Sequence, residues 1–278
     1  MMSYLDKIQT IDRRYLYMAL FVAIVLPMIF PFKHPIQVSP LTNAYHDTIE
    51  ALKPGDIVVF SIDHVAGTLA ELGPTETATL NHLLRKDVRI IFWGVAFPDA
   101  PLIFDSTLRA LLKDKKYGVD YVHFGYIAGR EVAAAALGND IRGLLKTDES
   151  GNPIDTLPIM ENVREAKDVA LLITFDDGYA TQTWVQQWFT PHGTKLLSVG
   201  LVGLLPSVTP YIKANQVAGA IFGIPGAAEY ETRLGIYGKG LARAAGLTTT
   251  CILALSLVLI GAGAYVVQKI TKGQKVMT

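Results

Sequence analysis

The chain has 278 residues, 25 basic against 25 acidic side chains and a formal net charge of zero, with a mean hydropathy of +0.31. That balance argues against a nucleic-acid-binding face, which needs a surplus of Lys and Arg. A single cysteine, Cys251, excludes an intramolecular disulfide, so the body of the protein must rest on its own core.

Residues 1–14 form a polar tail in which Lys7, Arg13 and Arg14 are partly offset by Asp6 and Asp12. Residues 15–32, YLYMALFVAIVLPMIFPF, then carry no charge. A signal peptide would have an apolar core of about 7–15 residues and a small-residue cleavage site. This run is longer, and the following KHPIQVSPLTNAYH offers no such site, so an uncleaved transmembrane helix is expected. Pro27 would kink it, and Tyr15, Tyr17, Phe30 and Phe32 suit its interfacial ends.

Residues 33–243 read as one α/β domain. Helical spacing of Tyr45, Ile49 and Leu52 predicts a helix over 43–53, ended by Pro54-Gly55. The β-branched run IVVFSI at 57–62 predicts a buried strand. A helix follows over 73–85 and a second strand, VRIIFWGV, over 88–95. The alternation continues with a helix at 102–116, a strand at 119–125 and an Ala-rich helix at 130–146. Residues 147–158 are polar enough to be a solvated loop. A short helix near 160–167 leads to the strand VALLITF at 169–175, a helix at 179–189 and a fifth strand at 194–199. Strands alternating with helices predict a Rossmann-like, doubly wound parallel sheet of about five strands.

Residues 200–211 then read as a Gly/Pro-rich loop. In 215–231, NQVAGAIFGIPGAAEYE, Gly219 and Gly223 stand four apart, with Ala220 and Ala227 extending a small-residue face. Such a face permits close helix packing, inside the fold or against a second copy; the alternative is a tight turn at Pro225-Gly226.

Residues 244–268, AAGLTTTCILALSLVLIGAGAYVVQ, carry no charge, and a helix needs only about 20 apolar residues to cross a bilayer. A second transmembrane helix is expected here, with residues 269–278 as a tail. That tail carries Lys269, Lys272 and Lys275 and no acid, so both tails are expected in the cytoplasm and the domain on the extracytoplasmic side. Arg233, Lys239 and Arg243, just before the span, pull the other way.

Open parallel sheets bind ligands beyond the carboxyl ends of their strands. The polar residues there are Asp63 and His64, then Asp99, then Arg130 and Glu131, then Asp176 and Asp177. Carboxylates with a His and an Arg suit a metal, a polar ligand or general acid–base work; each could equally cap the next helix, as an Asp before a helix does. The stretch ITFDDGY at 173–179 resembles the first motif of the polysaccharide deacetylase family. That resemblance implies Asp176 as catalytic base and Asp177 as a ligand to a divalent metal. The family's downstream His-x-x-x-His motif has no counterpart, since the later part of the chain holds His192 alone.

The chain shows no G-x-S-x-G, no Walker loop and no G-x-G-x-x-G after the first strand. His34, His46, His82 and His123 read as scattered, and Trp184 and Trp188 as core. The leading expectation is a non-catalytic, cofactor-free membrane subunit whose partners are lipid, further copies of itself or other membrane subunits. A sensor domain for a small polar ligand at the strand ends is the second expectation, and a deacetylase-type hydrolase the third.

Overall fold

The computed structural model describes residues 11–29 and 36–276. It divides into two compact units, a body over residues 36–240 and a second unit built from the terminal segments 1–35 and 241–278. Phe30 and Phe32, the expected outer anchors, and the tail residues Asp6 and Lys7 lie outside the described residues, as does His34.

In the body, β1 (Ile57–Asp63), β2 (Arg89–Gly94), β3 (Tyr121–Tyr126), β4 (Leu171–Asp176), β5 (Leu196–Gly200) and β6 (Gly219–Phe222) form one sheet. All pairings are parallel and the order is β3-β2-β1-β4-β5-β6. β1 and β4 are buried along their whole length, which is why their sequences run apolar without alternating. The sheet therefore has six strands where about five were expected.

The helices, in chain order, are α1 (Arg13–Ile29), α2 (Pro40–Glu50), α3 (Leu69–Arg85), α4 (residues 100–112), α5 (Glu131–Asn139), α6 (residues 180–192), α7 (Leu205–Lys213), α8 (Gly223–Arg233) and α9 (Lys239–Val276). Side chains of α2, α3, α4 and α8 fill the core on one face of the sheet, around Phe60, Phe92 and Phe175. Those of α5, α6 and α7 fill the other, where Trp93, Trp184 and Trp188 meet. Trp184 and Trp188 are fully buried, their rings 5.3 Å apart and near perpendicular at 89°. α2 starts cleanly because the Ser39 hydroxyl accepts from the Thr42 N–H at 3.2 Å and Pro40 occupies its first turn.

Besides the short helix expected near 160–167, where only single 3-10 turns form at Pro158–Met160 and Ala166–Asp168, three elements depart from expectation. The helix expected over 130–146 ends at Asn139, and Asp140 starts a new turn by accepting from the Gly143 N–H at 2.9 Å. The stretch 200–211, expected as loop, contains most of α7, whose first turn holds Pro206, where a missing N–H costs nothing. The third is β6, inside the stretch whose glycine spacing suggested helix packing. A Cβ on Gly219 would lie 2.3 Å from the Tyr45 backbone nitrogen, so the bare strand lets α2 lie directly on the sheet edge. Gly223 has φ +60 and turns the chain from β6 into α8, which runs through Pro225-Gly226. Ala220 and Ala227 are both buried. Gly219 thus serves close packing of helix on strand within the body, and Gly223 serves a turn.

In the second unit, α9 is the one helix among the described residues long and apolar enough to cross a membrane, over Lys239–Ile270. Its 32 residues there span roughly 48 Å at 1.5 Å each, against about 30 Å of hydrocarbon. Leu255, Val258, Leu259 and Ile260 all point outward. α1 is helical for 17 residues and includes Pro27; the end of the expected first span falls outside the described residues. Within this unit the Thr249 hydroxyl donates to the Ala23 carbonyl at 2.5 Å, and a Cβ on Gly246 would meet the Ile24 carbonyl at 3.1 Å.

Candidate functional site

After β1 the chain works outward to β2 and β3, and after β4 it works outward the other way to β5 and β6. The order reverses between β1 and β4, the place where open sheets of this kind hold their ligands. Asp63 and Asp176 end these two strands as partners in register.

Asp63 is fully buried, and four donors converge on it. Oδ1 accepts from the backbone N–H groups of Val95 at 2.9 Å and Ala96 at 3.2 Å. Oδ2 accepts from the Thr174 hydroxyl at 2.9 Å and the Trp184 indole N–H at 2.8 Å. An acceptor-only carboxylate is what such a ring of donors requires. Asp176, equally buried, accepts from the N–H groups of Gly178 at 2.7 Å and Thr181 at 2.9 Å, and so caps α6. Burial pushes its carboxyl above the usual range, the backbone donors pull it back, and the neighbouring Asp63 charge reinforces the rise.

The loop after β1 is held from two sides. Asp177 Oδ2 accepts from the Val65 N–H at 2.9 Å and the Thr68 hydroxyl at 3.2 Å, and Asp99 Oδ2 accepts from the Ala66 N–H at 2.7 Å. His64 lies beneath this loop, fully buried, with Nε2 2.9 Å from Glu76 Oε1 of α3 and Nδ1 3.0 Å from the Val65 carbonyl. Burial alone would lower the His64 pKa; the bond to Glu76 and that carboxylate's charge outweigh it, and the net displacement is upward. Glu76 Oε2 has no hydrogen-bond partner among the described residues.

The structure thus gathers Asp63, His64, Asp99, Asp176 and Asp177 at one rim. Arg130 joins indirectly: it follows β3 with φ +49, an unusual conformation for a residue with a side chain, and its guanidinium lies 5.4 Å from the Tyr179 ring centroid in the loop after β4. Glu131 is exposed in the first turn of α5. His192 stands at the far end of α6 from Asp176, roughly 18 Å along a 13-residue helix, and its ring packs against Gly138.

Sequence reasoning missed Glu76, Thr68 and Thr174, none of which has a local signature. It read Trp184 as core, which it is, but not as a donor to Asp63. Among the described residues, three or more ligand atoms close enough to share a metal ion come together on α2 and α3, in His46, Glu50 and His82, and not at this rim.

Compared with protein-family models and with curated proteins, the chain matches none. The rim must therefore be read from its own geometry. Asp63 and Asp176 spend both oxygens, and Asp99 and Asp177 one each, on backbone N–H groups, hydroxyls and an indole of the same chain, an arrangement that fixes the loops after β1, β2 and β4 relative to one another.

Proposed function

We propose that this chain is a non-catalytic, membrane-tethered subunit whose α/β body assembles with further copies of itself or with other membrane subunits. The observation that carries the reading is the commitment of both carboxylate oxygens of Asp63 and of Asp176 to internal hydrogen bonds. A carboxylate that must take a proton or a metal needs a lone pair turned outward; Asp63 has four donors on its two oxygens, and buried Asp176 has a backbone donor on each of its own.

Tethering is supported by α9, with its outward-facing apolar residues, and by its contact with α1. Ala23 meets Thr249 and Ile24 meets Gly246, so the numbering rises in one helix as it falls in the other, as in antiparallel neighbours. Small residues at such a crossing are how helices associate in lipid, where no hydrophobic force drives them together. Two antiparallel spans leave both termini on one side of the membrane and the body on the other, in keeping with the lysine-rich C-terminal tail. A body held at both ends is confined to the membrane surface, which favours assembly in that plane.

Native mass spectrometry of the full chain, extracted in mild detergent, tests this. A dimer, a larger homo-oligomer or a defined complex with another membrane subunit is expected. A lone monomer under every gentle condition overturns the assembly role.

A further inference from the structure

The geometry points to a divalent transition-metal site, with zinc as its natural occupant, formed by His46 and Glu50 of α2 and His82 of α3. It lies apart from the switch-point rim and is independent of the assembly role.

His46 and Glu50 stand four residues apart on α2 and so share one face of that helix. His82 comes to meet them from the last turn of α3. Glu50 Oε1 is 2.8 Å from His82 Nε2 and 3.9 Å from His46 Nε2, and the two imidazole rings stack with centroids 5.1 Å apart. Ligands held about 2.0–2.1 Å from a tetrahedral zinc ion stand roughly 3.4 Å from one another. The two measured separations bracket that value, so small side-chain adjustments would seat the ion.

The atoms behind the ligands are arranged for the same purpose. His46 Nδ1 lies 2.9 Å from Asp47 Oδ1, so its N–H donates there and Nε2 keeps its lone pair, facing Glu50. His82 Nδ1 lies 2.7 Å from the Tyr230 hydroxyl of α8. Nearby, the Thr79 hydroxyl of α3 lies 2.8 Å from that of Tyr45. The Tyr230 hydroxyl can either donate or accept. His82 can therefore hold its proton on Nε2 when Glu50 is the partner, or on Nδ1 when a metal takes Nε2. A histidine ligand fixed through its second nitrogen is the usual support of a metal site.

Lys86 takes the other oxygen of Glu50, Oε2, at 3.1 Å, and the Glu50 carbonyl at 2.8 Å, which leaves Oε1 as a single ligand atom. Glu50 is the last residue of α2, and His82 lies in the last turn of α3. Two helix carboxyl ends, each carrying partial negative charge, therefore face the site and favour a cation. The imidazoles of His46 and His82 are buried while Glu50 is half exposed, so solvent can supply a fourth ligand. Bound there, the ion would clamp α2, which lies on the β6 edge, to α3.

The test uses the full chain in detergent, free of any polyhistidine tag and stripped with a chelator. Zinc is titrated in competition with a chromophoric chelator, and cobalt(II) is then substituted to read the coordination from its visible bands. One equivalent per chain is expected, with the cobalt spectrum of a four-coordinate nitrogen–oxygen site and a rise in Tm on adding zinc. Glu50→Gln changes a half-exposed side chain and should weaken binding by about 100-fold, and Tyr230→Phe, which removes only the supporting hydroxyl, by about 10-fold. His82→Ala should abolish binding; should that variant fail to fold, the other two decide. Absence of stoichiometric binding, or affinity unchanged by Glu50→Gln, overturns the site and leaves the assembly role standing.

Discussion

At the scale of single residues, Asp63 shows how the switch point is used. Both of its oxygens face donors, two from the backbone after β2, one from Thr174 on β4 and one from Trp184 on α6. Replacing it by Asn keeps the shape but puts an NH₂ where one pair of donors now points, so at least one buried N–H or hydroxyl is stranded. Hydrogen bonds to a charged group contribute about 1.5–3 kcal/mol, and a stranded buried donor costs about 1–3 kcal/mol. Asp63→Asn should therefore lower unfolding stability by roughly 3 kcal/mol, read from urea midpoints of the full chain in detergent. A variant as stable as the parent would mean that this carboxylate is held for chemistry, not for holding loops together.

At the scale of elements, the sheet edge at β6 depends on the absence of a side chain. A Cβ on Gly219 would stand 2.3 Å from the backbone nitrogen of Tyr45 and 2.6 Å from its Cα, and a backbone cannot swing aside as a side-chain tip can. Overpacking of this kind costs about 1–3 kcal/mol. Gly219→Ala should fall at or above the top of that range, and Gly203→Ala, whose Cβ would meet nothing within 4 Å, should be close to neutral in the same denaturation assay. Equal stabilities for the two would mean that α2 does not rest on β6.

The same element explains what was legible in the sequence. The central strands announce themselves because both faces are covered: IVVFSI and VALLITF have no polar residue turned to water. Once those runs are placed, Asp63 and Asp176 fall at their ends by counting alone. β6 is four residues long and opens with a glycine that serves its neighbour, so its periodicity reports the needs of α2 and mimics a helix. α7 was hidden by Pro206 and Pro210, the one in its first turn and the other within it. Of the triad on α2 and α3, the spacing of His46 and Glu50 is visible on inspection, but His82 is 32 positions from Glu50 and only the fold brings it there. Hydrogen bonds across such separations, like that from Trp184 to Asp63, leave no local trace.

At the scale of the whole molecule, α9 puts the greatest demand on its surroundings. Leu255, Val258, Leu259 and Ile260 are exposed on it, and in water that apolar surface would cost about 25 cal/mol for every Å² left wet. Cys251, the chain's one cysteine, lies on the same helix and is itself exposed. It stands about seven residues inside the uncharged run that begins at 244, roughly 10 Å along the helix axis. Since the protein leaves this thiol uncovered, lipid or a partner helix must shield it if the helix is embedded. A water-soluble maleimide does not partition into hydrocarbon, so a thiol held within the bilayer is out of its reach. In native membrane vesicles a water-soluble maleimide should therefore leave Cys251 unlabelled, while the same reagent after solubilisation in a denaturing detergent should label it fully. Prompt labelling without detergent would place α9 in water, and the tether, the shared side of the two termini and assembly in the membrane plane would all have to be given up.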